Sequence, residues 1–278
     1  MTIGIIGLGL IGGSMAKSAK ARTDYTVYGI DKEQETVTLA RMSGAIDGPL
    51  NEHNLPWCDL IFLAIRPADA VKWVEDNARM ISVKTTVVDL CGVKRSVFPK
   101  ISPIARKRGF TYVGGHPMAG RERGGFTSSS EDLFVGASMI LTPDQRVDAS
   151  NIETLKNFFT DLGFAGVTFS DPDEHDRMIA YTSQLAHVAS SAYVKSPEAQ
   201  KRRGFSAGSF LDMTRVARLD EDMWTELFLD NADYLSEQLD IFMERLQEYS
   251  KALKEKDAET LRALLKDGRE KKAAAGGN

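Results

Sequence analysis

The apolar positions fall into two regimes that change near residue 170. Up to that point short apolar runs alternate with longer amphipathic stretches. Residues 2–6, 25–30, 59–65, 85–89, 110–113, 137–141 and 165–169 read as strands, and 15–21, 68–81, 93–108 and 147–162 as helices. The run 59–65 is continuously apolar after Asp59 and stops at a turn, Arg66-Pro67, as expected of a strand covered on both faces. Pro99 and Pro103 must start or interrupt the helix expected over 93–108. Strands alternating with helices predict a doubly wound, Rossmann-like α/β domain over residues 1–170.

Beyond Ser170-Asp171-Pro172 the strand signals stop. Residues 173–194 read as one long helix capped by Ser170 or Asp171, followed by helices over 206–215, 221–230, 231–254 and 257–272. The prediction is an all-α domain over 171–278. In its longest helix Leu235, Leu239, Phe242, Met243 and Leu246 recur at close to 3.5 residues, a spacing suited to packing on another helix. That stripe fits either the core of this domain or a homodimer interface. The tail from Lys271 is expected to fray.

The first forty residues carry the sharpest chemical signal. A strand runs into Gly7-Leu8-Gly9-Leu10-Ile11-Gly12, a helix follows, and the next apolar run ends at Asp31. This is the context in which a glycine fingerprint binds a dinucleotide. Gly7 permits the tight turn, Gly9 lets the backbone approach a pyrophosphate, and Gly12 lets helix and strand pack closely. The free N–H groups at the helix start favour the phosphates. A carboxylate at Asp31 accepts the ribose hydroxyls and repels a 2′-phosphate, so NAD is expected over NADP, although Lys32 next to it partly offsets the repulsion. The expected cofactor-binding set is Gly7, Leu8, Gly9, Leu10, Ile11, Gly12 and Asp31, together with Arg66 and Asp89.

Composition narrows the picture. The chain has 278 residues, 42% hydrophobic and 27% charged, enough for a sizeable core. A net charge of −4 gives no basic field for nucleic acid. No apolar run reaches membrane-spanning length, and the start on a core strand is expected to leave no room for a leader. Cys58 and Cys91 make no disulfide framework and are expected to be small buried thiols in a reducing, cytoplasmic compartment.

Of the four histidines, His53 and His175 lie in polar surroundings and are expected to be solvated. His116 follows a strand and opens the glycine-rich segment Gly114-Gly115-His116-Pro117-Met118-Ala119-Gly120, at the edge where α/β sheets bind ligands. It is read as a chemical group, the alternative being a histidine that merely caps the strand. The polar loop after it, 121–130, could cover a small polar substrate. His187 shares a helix face with Ser183 and is either a pocket residue or a half-buried helix histidine. Arg215 either binds a carboxylate or pairs with Asp212.

Taken together, these segments resemble the prephenate/arogenate dehydrogenases of tyrosine biosynthesis. The resemblance rests on the 7–14 fingerprint, Asp89-Leu90-Cys91-Gly92-Val93-Lys94, His116-Pro117-Met118-Ala119-Gly120, the 183–187 segment and Asp212-Met213-Thr214-Arg215. It implies that His116 is catalytic and that His187, Arg215, Ser183 and Glu122 line the site of a small substrate, prephenate or arogenate, oxidatively decarboxylated with NAD. Gly92 departs from the serine found in many relatives, and Gln184 stands where some have a second histidine. A β-hydroxyacid dehydrogenase is the chief rival, but its Gly-x-x-x-Lys-x-x-x-Asn helix is missing from the chain. A non-catalytic NAD-binding module is the other, and His116 in its glycine-rich loop argues against it.

Overall fold

Short strands, the central ones buried along nearly their whole length, build the sheet. In the computed structural model, which describes every residue except Ser206, Gly277 and Asn278, eight strands join in one sheet. They are β1 (Thr2–Ile6), β2 (Thr26–Ile30), β3 (Gly48–Pro49), β4 (Leu60–Leu63), β5 (Thr86–Asp89), β6 (Thr111–Pro117), β7 (Ser138–Pro143) and β8 (Gly166–Phe169). Their order is β3-β2-β1-β4-β5-β6-β7-β8. All neighbours pair in parallel except β6 and β7. Leu60 and Phe62 belong to the core on one face, Ile61 and Leu63 to the core on the other. This is the period of two that a strand covered on both sides requires.

Helices α1 (Leu10–Arg22), α2 (Gln34–Met42), α3 (Pro67–Asn77), α4 (Phe98–Arg108) and α5 (Ala149–Asp161) cover the two faces. Residues of α1, α2 and α5 join one core, where Phe62 stacks on Phe158 at 5.0 Å between centroids. Residues of α3 and α4 join the other. Each fully buried side chain of this kind contributes about 1.5–3 kcal/mol. Pro99 lies in the first turn of α4, as proline allows, and Pro103 lies inside it. The expected helix over 93–108 therefore starts only at Phe98.

The register aligns the ends of the central strands. Ile6 pairs with Leu63, Leu63 with Asp89, and Asp89 with Gly114. The segments Gly7–Gly12, Arg66 and Leu90–Gly92 leave the sheet at the edge where His116 lies near the end of β6. The strand order reverses between β1 and β4, the position at which open α/β sheets take their ligands.

After β8 the chain is helical: α6 (Pro172–Ile179), α7 (Leu185–Tyr193), α8 (Gly208–Thr214), α9 (Glu221–Leu229), α10 (Ala232–Glu255) and α11 (Ala258–Ala275). The helix expected over 173–194 runs without a break from Pro172 to Tyr193. A π turn over Ala180–Gln184 joins α6 to α7. The start expected for α8, at Ser206, lies outside the described residues.

Residues 1–231 form one compact unit and 232–278 another. The second is a hairpin of α10 and α11, turned by Lys256 at a left-handed φ of 54°. Ala252 is buried in it and the Tyr249 hydroxyl donates to the Leu264 carbonyl at 3.3 Å. Ile241, Met243, Leu246, Leu253 and Leu265 stay exposed. The tail does not fray at Lys271, because α11 runs on to Ala275; Gly277 and Asn278 lie outside the described residues. Among the described residues no helix is long and apolar enough to cross a membrane.

Candidate active site

The glycine fingerprint forms the turn that its spacing predicts. Gly7 has φ of +89°, and a Cβ there would sit 2.5 Å from the Ala64 carbonyl oxygen. A Cβ on Gly12 would come within 1.8 Å of the Gly7 carbonyl, so α1 can pack against β1 only without one. Gly9 faces open space, with nothing within 4 Å of the place its Cβ would take. Leu8 is buried; Leu10 and Ile11 are half-buried at the start of α1. One oxygen of Asp31 accepts from the Leu8 N–H at 2.7 Å and the other from Glu33 at 3.0 Å. A carboxylate has about four acceptor positions, so Asp31 keeps capacity for hydroxyl donors while bracing the glycine turn. An open glycine, a bare helix N-terminus and a carboxylate at the end of β2 fit a dinucleotide.

Arg66 is exposed at the start of α3, 3.9 Å from Asp220. Asp89 requires a correction to the expected cofactor-contacting set. It is fully buried, and its carboxylate is taken up by the Lys94 ammonium, the Tyr112 hydroxyl at 2.7 Å and the Cys91 N–H at 3.0 Å. Lys94, equally buried, also donates to the Gly115 carbonyl at 2.6 Å. The pair therefore shapes the β5 and β6 ends from behind and offers no carboxylate to a cofactor. Cys91 and Cys58 are both buried thiols, as expected.

His116 is half-buried at the end of β6, and its Nδ1 lies 2.9 Å from Nε2 of His175. His175 corrects another expectation: it is not solvated but only 2% exposed. Its Nδ1 lies 2.7 Å from Oδ1 of Asp176, which is fully buried. Asp176 also accepts the backbone N–H groups of Lys94 and Arg95, each at 2.8 Å. Burial, then the neighbouring His175 and the Lys94 ammonium, hold His116 well below the usual histidine pKa. His116 is thus neutral at neutral pH, as a proton acceptor must be. The polar setting of His175 in the sequence, between Glu174 and Asp176, reads as surface; only the packing of α6 on the sheet edge reveals otherwise.

A second cluster forms around His187. Its Nδ1 donates to the Ser183 carbonyl at 2.8 Å, and its ring stacks on Trp224 with centroids 4.0 Å apart. The turn that Arg215 opens packs against α7, and burial, with the charge of Arg215, lowers the His187 pKa against the opposing bond to Ser183. Among the described residues no ion pair joins Arg215 to Asp212, the partner considered from sequence. Trp224 leaves no functional mark in the sequence, since a tryptophan on an amphipathic helix carries no signal beyond packing.

Helix α9 connects the two clusters. Trp224 faces His187, while Leu227, one turn on, would meet a Cβ at Gly92 at 3.5 Å. That same Cβ would lie 3.9 Å from Cε1 of His116. Gln184, in place of a second histidine, is buried and donates to the Leu227 carbonyl at 3.0 Å. Asn231 Nδ2 donates to Gln184 and to the Asp176 carbonyl, both at 2.8 Å. Glu122 stands exposed on the loop after β6. The arrangement offers a neutral imidazole at the nucleotide edge of the sheet and a second cluster in which His187 lies by the cationic Arg215.

Comparison with known proteins gives the family of the chain. Residues 15–167 match the family model described as prephenate dehydrogenase, nucleotide-binding domain, and residues 171–267 the one described as prephenate dehydrogenase, dimerization domain. The cyclohexadienyl dehydrogenase of Zymomonas mobilis is 30% identical, covering 98% of this chain and 95% of its own. The prephenate dehydrogenase of Bacillus subtilis is 28% identical, covering 97% of this chain and 74% of its own. The solved structure of prephenate dehydrogenase from Aquifex aeolicus with hydroxyphenyl propionate and NAD+ superposes with a TM-score of 0.87 at 28% identity, covering 99% of this chain and 98% of that one. The chain belongs to the prephenate dehydrogenase family.

Proposed function

We propose that the protein is an NAD-dependent prephenate dehydrogenase, with His116 as its general base. The observation that carries this reading is the neutral His116 at the sheet edge that also holds the glycine fingerprint. The turn Gly7–Gly12, the start of α1 and Asp31 would hold NAD, which supplies the hydride acceptor when bound.

The substrate is a cyclohexadiene with a 4-hydroxyl, a ring carboxylate and a pyruvyl side chain. His116 accepts the hydroxyl proton as C4 becomes carbonyl-like. The imidazolium returns that proton to the oxygen when loss of CO₂ aromatises the ring. A base of this kind contributes about 10²–10⁴-fold in rate. Aromatisation makes the reaction effectively irreversible. Arg215 neutralises a substrate carboxylate, with a planar donor pair that lysine lacks. His187 and Ser183 orient the substrate, and Glu122 borders the pocket from its loop. Leu90–Gly92 and Arg66 flank the cofactor.

Residues 171–278 serve as the helical substrate and dimerisation domain. The apolar residues left exposed on α10 and α11 would be covered in a homodimer. The setting is the cytoplasm, where the cofactor and both cysteines in thiol form belong. Arogenate, with an ammonium in place of the keto group, is a second substrate to consider, because the Zymomonas relative bears the broader cyclohexadienyl name.

The test is NADH formation from prephenate and from arogenate, with each of NAD and NADP. Turnover of prephenate with NAD, lost by at least about 100-fold in kcat in His116→Asn with KM kept, is expected. Activity of that variant within about threefold of wild type would remove His116 from the chemistry.

A further inference from the structure

We propose that His175 and Asp176 are positioning residues that fix His116 in one tautomer, with the proton on Nδ1 and the lone pair on Nε2. The proposal rests on the reading of His116 as the base, and it assigns a task to two buried groups that the reaction itself leaves idle.

The argument is one of donors and acceptors. A carboxylate only accepts. His175 Nδ1 lies 2.7 Å from Oδ1 of Asp176, so this nitrogen carries a proton. A neutral imidazole has one N–H, which leaves Nε2 of His175 as an acceptor. His116 Nδ1 lies 2.9 Å from that Nε2 and must be the donor. The lone pair of neutral His116 is then on Nε2, the nitrogen not engaged by His175.

The chain of bonds holds only if Asp176 stays ionised and His175 stays neutral. The carboxylate is fixed by two backbone N–H groups, from Lys94 on Oδ1 and from Arg95 on Oδ2, each at 2.8 Å. Its own carbonyl is held by Asn231 at 2.8 Å. The charged groups around the two rings are Lys94 and Arg95 from the segment before α4, Asp89 from β5 and Asp176 from α6. Burial dominates at His175 and lowers its pKa, with Lys94 acting in the same direction; Asp176 and Asp89 oppose them without reversing the shift. When His116 takes the hydroxyl proton on Nε2, its positive charge is shared through His175 towards Asp176, with no proton leaving the carboxylate's partners.

A purely structural pair would hold α6 against the sheet and leave the tautomer of His116 free. Long-range ¹⁵N–¹H correlation of the histidines in the full chain with NAD, at neutral pH, separates the two. His116 is expected to carry its proton on Nδ1 only. His175→Phe, which removes the acceptor, should bring in the Nε2–H form and lower kcat by about 100-fold or more, with KM within about threefold. His175→Gln, which returns an acceptor oxygen, should recover at least about tenfold of that loss in kcat. An Nε2–H tautomer in the wild-type protein overturns the proposal, and so does an unchanged tautomer in His175→Phe. The wild-type spectrum needs neither a variant that folds nor turnover of prephenate. Failure of the substrate reading would appear in the NADH assay and not in the spectrum.

Discussion

The rings of His187 and Trp224 lie 4.0 Å apart at 30°, the tightest aromatic contact among the described residues. With Nδ1 of His187 donating to the Ser183 carbonyl at 2.8 Å, the stack fixes the ring plane and leaves Nε2 for a ligand. An aromatic pair of this kind contributes about 0.5–1.5 kcal/mol beyond its area. Trp224→Leu is therefore expected to raise KM for prephenate by about two- to tenfold with kcat nearly kept. A lower kcat at constant KM would move Trp224 from substrate orientation to the chemical step.

Arg215 stands beside His187 without an ion pair among the described residues, so its charge is available to a carboxylate. Arg215→Ala should raise KM well above that of the wild type, and Arg215→Lys should recover only part, because lysine lacks the planar donor pair. Steady-state kinetics with prephenate checks this, and an unchanged KM in Arg215→Ala would exclude a substrate contact.

The buried Lys94–Asp89 pair supports the edge on which His116 sits. Removing one partner of such a pair leaves an uncompensated charge, at a cost of about 3–5 kcal/mol. Lys94→Met should destabilise the fold by that order, read as a lower midpoint in chemical denaturation. Adding Asp89→Leu should restore part of it, since the second change removes the stranded carboxylate. No recovery in the double variant would mean that Lys94 acts through its bond to Gly115 and not through Asp89.

His116, His175 and His187 all have depressed pKa values in the folded state. Below the ordinary histidine value of about 6.5 the unfolded chain takes up protons that the native state refuses. The stability these residues contribute is full above that pH and declines as pH falls towards their folded pKa values. Denaturation midpoints should drop from pH 7.5 to about pH 5.5, less steeply in His116→Asn. The acid limb of kcat/KM should likewise lie below about 6.5. A limb above that value would contradict a base held neutral by its surroundings.

Asp31 braces the glycine turn through the Leu8 N–H, and in the proposed cofactor site it would also accept the adenosine ribose hydroxyls. Asp31→Ser should narrow the preference for NAD over NADP and also weaken both cofactors, because the turn loses an acceptor. A ratio of kcat/KM values that does not move would show that the carboxylate only braces the turn.

What the sequence made legible follows from where each signal resides. The glycine turn and seven of the strands rest on local pattern and appear within a few residues of where periodicity and spacing put them, whereas β3 and α2 go unread and β6 runs on to Pro117, so that His116 lies near the end of the strand and does not follow it. The antiparallel entry of β7 leaves no such mark, because a strand's own residues do not record the direction of its neighbour. Lys94 reads as a surface cation and Asp89 as a ligand-edge acid; only their mutual burial shows otherwise. The same holds for His175. Its polar neighbours suggest water, whereas Asp176 next to it is the partner that allows a histidine to be buried.

The π turn over Ala180–Gln184 has a geometric effect on the pocket. In an unbroken α-helix at about 100° per residue, His175 and His187 would be about 120° out of phase. One surplus residue taken up by the wide turn brings that angle to about 20°, so both imidazoles project from the same side. Deleting Ala180 would regularise the rod and swing one imidazole away from the other, and on the proposed roles it would uncouple proton handling from substrate grip while sparing His175, Ser183 and His187 themselves. The enzyme's competence thus rests partly on an irregularity in helix count, a trait that no inventory of its active groups would record.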